Sequence, residues 1–170
     1  MSDNLFENNQ LFFAITESWL DSHKDAELKI DGYQLFRSDR KRRKRSKRGR
    51  LSGGVAVYVH DSLAVHMEVS LQYSNGAVEV IGLYSSSENL FLAIVYRQPD
   101  DSAGGNPSGV AEFKPALEKI TAVLNDIGEP SPNTIICGDF NLPRFPWNSN
   151  CETGSNSLHD SLAHVMNKLF

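Results

Sequence analysis

The chain has 170 residues, 40% hydrophobic and 22% charged, with a formal net charge of −4, which is one domain's worth of chain with apolar material for a core. No apolar run approaches the roughly 20 residues that span a bilayer, the polar start Met1-Ser2-Asp3-Asn4 lacks the plan of a signal peptide, and two cysteines, Cys137 and Cys151, make no disulfide framework. The expectation is an intracellular, reducing compartment, with no membrane and no disulfide-linked partner.

In chain order, Leu11 to Thr16 (LFFAIT) is the first candidate for a buried strand, and Tyr33 to Phe36 is a short second one. Residues 37–50 (RSDRKRRKRSKRGR) then hold 10 of the 17 Lys and Arg with a single acid, Asp39, which leaves −13 on the rest of the chain. An acidic body with one basic segment points to a polyanionic partner at one place. The turn Ser52-Gly53-Gly54 leads into the strand candidate Gly54 to Val59 (GVAVYV). Leu63 to Val69 alternates less cleanly, and Ala77 to Tyr84 (AVEVIGLY) and Leu90 to Tyr96 (LFLAIVY) are further strands. Pro99 to Pro107 reads as a loop. Val110 to Ile127 places Phe113, Leu117, Ile120, Val123, Leu124 and Ile127 at helical spacing, with Ser108 as N-cap and Gly128 as stop. Thr134 to Cys137 is a last strand, and Leu158 to Phe170 has one apolar helical face. Many strands, few helices and a late helix-then-strand unit predict a mixed α/β layered domain.

Three places could carry chemistry. In Cys137-Gly138-Asp139-Phe140-Asn141 a buried-type strand ends in Gly, then an acid, then an amide two positions on. Period-two alternation would put Asp139 and Asn141 on one side, across Phe140, and a hard-oxygen site of this kind suits Mg²⁺. The plain alternative is a strand-to-turn junction, where these residue types serve the backbone. Glu17 directly follows an apolar run, as a metal ligand at a sheet rim or as an exposed helix-start residue. In Tyr96-Arg97-Gln98-Pro99, Tyr96 could donate to a phosphate and Arg97 could pair with one; the alternative is a core aromatic followed by an exposed cation.

Glu17 in TESWL, GGVAVYV after a basic loop, Tyr96 in YRQP and Asp139/Asn141 in GDFNLP, with Trp147 beyond, occur in this order. In these motifs the chain resembles the endonuclease domain of non-LTR (LINE-type, Jockey-like) retrotransposons, relatives of the apurinic-site endonucleases and of the DNase I class, from about Leu11 to Trp147. The resemblance implies a four-layer α/β sandwich of two mixed β-sheets flanked by helices. It also implies DNA nicking that primes reverse transcription, by in-line attack of water on a phosphodiester. Glu17 would bind Mg²⁺, with Mn²⁺ as an alternative ion. Asp139 would position or deprotonate the water, Asn141 would bond the scissile phosphate and orient Asp139, and Tyr96 would contact that phosphate.

The same resemblance implies departures. Pro99 stands where some relatives carry an Asn. The family's early metal-linked Asn is not matched by Asn4, Asn8 or Asn9, and its late Asp and Ser-Asp-His loop are not matched by Ser157-Leu158-His159-Asp160. The expectation is one partial domain over residues 1–170 with impaired catalysis. Residues 38–52 would be a flexible basic loop. It offers Arg40, Lys41, Arg42, Arg43, Lys44, Arg45, Lys47 and Arg48 to the phosphates of DNA or RNA, and KRRKRSKR also suits nuclear import. Two rival functions stand beside the endonuclease: a phosphodiesterase or phosphatase of the same fold acting on a lipid or small molecule, and a non-catalytic nucleic-acid-binding remnant.

Overall fold

The computed structural model describes residues 10–20, 28–40, 53–99 and 108–141. The basic segment beyond Arg40, the loop from 100 to 107 and the candidate helix Leu158 to Phe170 lie outside these residues.

Three strands, β1 (Phe12–Thr16), β2 (Tyr33–Ser38) and β3 (Val55–His60), form an antiparallel sheet in the order β1-β3-β2. Val55 faces both Thr16 and Ser38, so the ends of all three strands share one rim. β3 is central and buried on both faces, which is why its sequence is a continuous apolar run and not an alternation. Val55, Val57 and Val59 join Phe36 in the core between the sheets. On the opposite face Phe13 stacks on Tyr58 with ring centroids 4.8 Å apart, and the Tyr58 hydroxyl donates to the Leu28 carbonyl at 2.8 Å.

The irregular stretch from Leu63 to Val69 is not a single strand. It begins inside one helical turn, α1 (Asp61–Ala64), capped where the Ser62 N–H donates to His60 Nδ1 at 3.2 Å. The turn buries Leu63 and Ala64, with Met67 just beyond, in the core between the sheets. A mixture of helical and extended spacing explains the poor alternation.

The second sheet runs β4-β5-β6-β7. β4 (Glu68–Ser74), β5 (Val78–Ser85) and β6 (Leu90–Arg97) are antiparallel neighbours. Asn75 shapes the first hairpin, its Oδ1 accepting from the N–H groups of Ala77 at 3.0 Å and Val78 at 2.8 Å. The long helix α2 (Ser108–Ile127) is the crossover that lets β7 (Asn133–Asp139) lie parallel to β6. Its helically spaced Phe113, Ala116, Leu117 and Ile120 pack on Val78, Val80, Phe91, Ala93 and Val95. The other face of the same sheet presents Ile81, Leu83, Leu92 and Ile94 to the first sheet. Burying each such side chain is worth roughly 1.5–3 kcal/mol. The expected α/β sandwich of two packed sheets with flanking helix is therefore the observed architecture: one sheet antiparallel, the other mixed. Among the described residues no helix is long and apolar enough to cross a membrane.

Candidate active site at the joint rim of the sheets

Glu79, Tyr96 and Asp139 lie in one row across the second sheet, since Tyr96 is the register partner of both. Partners in register project to the same face, and this face looks toward the first sheet. At the matching rim of that sheet, β1 ends in Thr16 and the chain turns at Glu17. The N–H groups of Ser18 and Trp19 donate to the carbonyls of Gly54 and Gly53 at 3.2 and 3.0 Å, which ties the turn to the entry of β3. Glu17 has φ +51°, an uncommon left-handed conformation for a residue with a side chain.

The exposed Glu17 carboxylate is held from two sides. The Tyr96 hydroxyl donates to Oε1 at 2.6 Å, and Trp19 Nε1 donates to Oε2 at 3.3 Å. Tyr96 is buried, 3% exposed. Burial first, then the hydrogen bond and charge of Glu17, hold its phenol well above the usual value, while Arg40 pulls the other way. Tyr96 is therefore a proton-bearing donor at neutral pH, not a base.

Asp139 is the exposed last residue of β7. Gly138 before it has φ +137°, and a Cβ there would stand 1.9 Å from the Val95 carbonyl oxygen of β6. Only glycine lets the two backbones approach so closely, which gives the Gly of the GDFN motif its physical reason. Phe140 points the other way and meets the Phe113 ring edge-on, with centroids 6.1 Å apart.

Asn141 departs from the extended alternation expected of it. Its φ of +47° ends the strand; its side-chain Nδ2 donates to the Arg97 carbonyl at 2.7 Å, and its backbone N–H donates to Asp139 Oδ1 at 3.1 Å. The backbone of Asn141, not its amide, contacts Asp139.

Two cations expected to meet nucleic acid are placed differently. Arg97 follows Tyr96 on the strand and so faces the α2 side of the sheet; it is 0% exposed, and its Nη1 donates to the Asn141 carbonyl at 2.8 Å. A buried guanidinium so engaged braces the Asp139–Asn141 turn and is not presented to a phosphate. Arg40 is also drawn inward. Its Nε and Nη2 donate to the two oxygens of Glu79 at 2.9 and 3.1 Å, its Nη1 donates to Gln98 Oε1 at 3.3 Å, and its Cζ lies 5.5 Å from the Tyr96 ring centroid. Lys41, Arg42, Arg43, Lys44, Arg45, Lys47 and Arg48 lie outside the described residues.

Sequence reading missed Glu79. Its signal was a carboxylate interrupting the apolar run AVEVIGLY at the parity of the core-facing Ile81 and Leu83, where an acid needs a partner.

Among the described residues no group of three or more His, Cys, Asp or Glu could hold a metal ion. The donor set fits a weaker arrangement. Magnesium is commonly held by one or two carboxylates, with water and substrate phosphate completing its shell, and each Glu17 oxygen keeps lone pairs beyond the bond it accepts. Glu17 fits as a single protein anchor for such an ion.

The same architecture occurs in known structures. The AP endonuclease LMAP from Leishmania major superposes with a TM-score of 0.57 at 16% identity, over 94% of this chain and 57% of that one. The endonuclease domain of TRAS1, a telomere-specific non-LTR retrotransposon, gives 0.41 at 19% identity, over 82% of this chain and 54% of that one. Truncated TDP2 from Caenorhabditis elegans gives 0.49 at 16% identity, over 78% and 49%. The chain thus spans about half the length of these structures, and at 16% identity the likeness to the AP endonuclease is one of fold. A search of curated proteins gives no match. The sequence model of the endonuclease/exonuclease/phosphatase family, however, matches residues 5–157, which include both sheets, the helix between β6 and β7 and the whole of the rim just described. The chain belongs to the endonuclease/exonuclease/phosphatase family.

Proposed function

We propose that this chain hydrolyses phosphodiester bonds in DNA with the help of Mg²⁺, as the nicking module of a non-LTR retrotransposon. The observation that carries the reading is the row of Tyr96 and Asp139 in register on one sheet, with Glu17 of the other sheet bonded to Tyr96 at 2.6 Å.

In this reading Asp139 takes the proton of an attacking water as the new phosphorus–oxygen bond forms and the bond to the leaving sugar oxygen breaks. Its Oδ1 is already oriented by the Asn141 N–H, which leaves Oδ2 for the water. Tyr96, kept protonated by burial and Glu17, has a single O–H, now given to Glu17, and would turn it to the phosphate as negative charge builds there. Glu17 would hold the ion, which when bound would supply positive charge to offset the negative charge on the phosphate. Mn²⁺ should serve in its place. Asn141 bonds the Arg97 carbonyl in the free protein, and would have to turn from it to reach the scissile phosphate.

The basic residues Lys41 to Arg48 supply the sequence-independent attraction to DNA, and to RNA as a second polyanion; KRRKRSKR would direct the protein to the nucleus. Hydrolysis by this 170-residue polypeptide is expected to be slow.

The test is nicking of supercoiled plasmid with and without Mg²⁺, with Asp139→Ala as control. Slow nicking lost in the control supports the proposal. Nucleic-acid binding with no Asp139-dependent cleavage would leave a binding remnant. Release of phosphate from lipid or small phosphoesters, with plasmid intact, would favour the phosphatase alternative.

A further inference from the structure

We propose that Arg40, locked by the buried carboxylate of Glu79, is a positioning residue that fixes the Tyr96 ring and, through it, the Glu17 carboxylate. The importance of Tyr96 and Glu17 rests on the function proposed above; the mechanical coupling does not.

Glu79 is 0% exposed on β5 and directly opposite Tyr96 on β6. A guanidinium gripped by both oxygens of Glu79 must therefore lie beside the Tyr96 ring, and it does, at 5.5 Å. A two-pronged arginine–carboxylate pair has a fixed orientation, and a cation over an aromatic ring attracts it. Glu79 also accepts from the Gly54 N–H at 3.3 Å and the Ser74 hydroxyl at 3.5 Å, so the clamp joins both sheets at the rim.

The local sequence accommodates this arginine. A Cβ on Gly53 would fall 2.4 Å from Arg40 Cζ, and one on Gly54 would fall 2.8 Å from the Ser18 hydroxyl. Both glycines leave room where the Glu17 turn, Arg40 and the β3 entry meet. A buried ion pair is seldom a better source of stability than apolar residues of like volume. Its use at the one row containing Tyr96 is accounted for if it orients that ring.

The test uses the 170-residue chain with ¹³Cζ-labelled tyrosine. The Tyr96 resonance is assigned by its disappearance in Tyr96→Phe, and its shift in Glu17→Ala, which removes the acceptor, calibrates loss of the hydrogen bond. In Arg40→Met combined with Glu79→Leu, both charges leave together, and the melting temperature should stay near that of the parent. The Tyr96 resonance should nonetheless move most of the way to its Glu17→Ala position. Glu79→Leu alone should melt lower, because it takes the carboxylate from a part-buried guanidinium. A folded double variant with the parent's Tyr96 resonance would overturn the proposal, as would a Tyr96 resonance indifferent to Glu17→Ala. Should the double variant not fold, Arg40→Lys keeps the cation and loses the two-pronged grip. It should shift the Tyr96 resonance in the same direction, and an unchanged resonance would again overturn the idea. None of these readings requires hydrolysis, so an inactive polypeptide leaves them intact.

Discussion

The Tyr96 hydroxyl donates to Glu17 Oε1 across 2.6 Å, and 79 residues separate the two along the chain. This bond crosses from the second sheet to the first at the rim where Asp139 ends its strand. It has a consequence for alkaline stability. The phenol is raised above its ordinary 10.0, chiefly by burial, so the unfolded chain gives up this proton first. The stabilisation is complete below pH 10.0 and is lost as pH rises above it. Burial also raises the Cys137 thiol above its ordinary 9.0, which adds a loss of the same sign that starts lower. Tyr96→Phe should remove the part of the decline that begins near 10.0 and leave the earlier part. Melting temperature against pH in the two proteins checks it; identical curves would contradict the assignment.

Gly138→Ala should be among the most damaging single-methyl additions in the chain. The added carbon meets the backbone of Val95, not a movable side chain, so β7 must separate from β6 or Asp139 must move. A loss of about 2–4 kcal/mol is expected by urea denaturation. A loss under ~0.5 kcal/mol would mean that the two strands part easily.

The two kinds of arginine should separate cleanly in binding experiments. Replacing Lys41, Arg42, Arg43, Lys44 and Arg45 by Ser should reduce the salt dependence of DNA affinity by about 0.9 in slope for every phosphate that is no longer neutralised. Arg97→Met should leave that slope alone and lower stability, because Arg97 is buried against the Asn141 carbonyl. Should Arg97→Met flatten the slope, its guanidinium must reach DNA in the complex.

Asp139→Ala should lower any Mg²⁺-dependent nicking by about 10²-fold or more, the usual scale for a positioned general base, while folding survives because the side chain is exposed. Chelation of the divalent ion should abolish the reaction, and Mn²⁺ should restore it. Equal cleavage by parent and variant would remove Asp139 from the chemistry. A circular-dichroism melt of the variant separates loss of chemistry from loss of fold.

The strands, β4 excepted, and the long helix were legible in the sequence because their signals are local. A continuous run such as Val55–Val59 demands burial on two faces, and Phe113, Leu117 and Ile120 repeat at the period of a helix. Glu17, Tyr96 and Asp139 stood out too, as polar residues at the ends of apolar runs, though each run left a plain alternative open. Tertiary structure decided what those runs could not encode. Arg40 and Arg97 read alike as exposed cations, yet one is clamped by a carboxylate 39 residues away and the other lies buried under a carbonyl 44 residues away. Asn141 read as the next step of an extended strand, but the left-handed turn that ends β7 aims its amide at the Arg97 carbonyl. Glu79 went unread because a carboxylate within a strand gains meaning only from the guanidinium that folding brings beside it. Periodicity is carried by neighbours in sequence; the partners of a buried charge are chosen by neighbours in space.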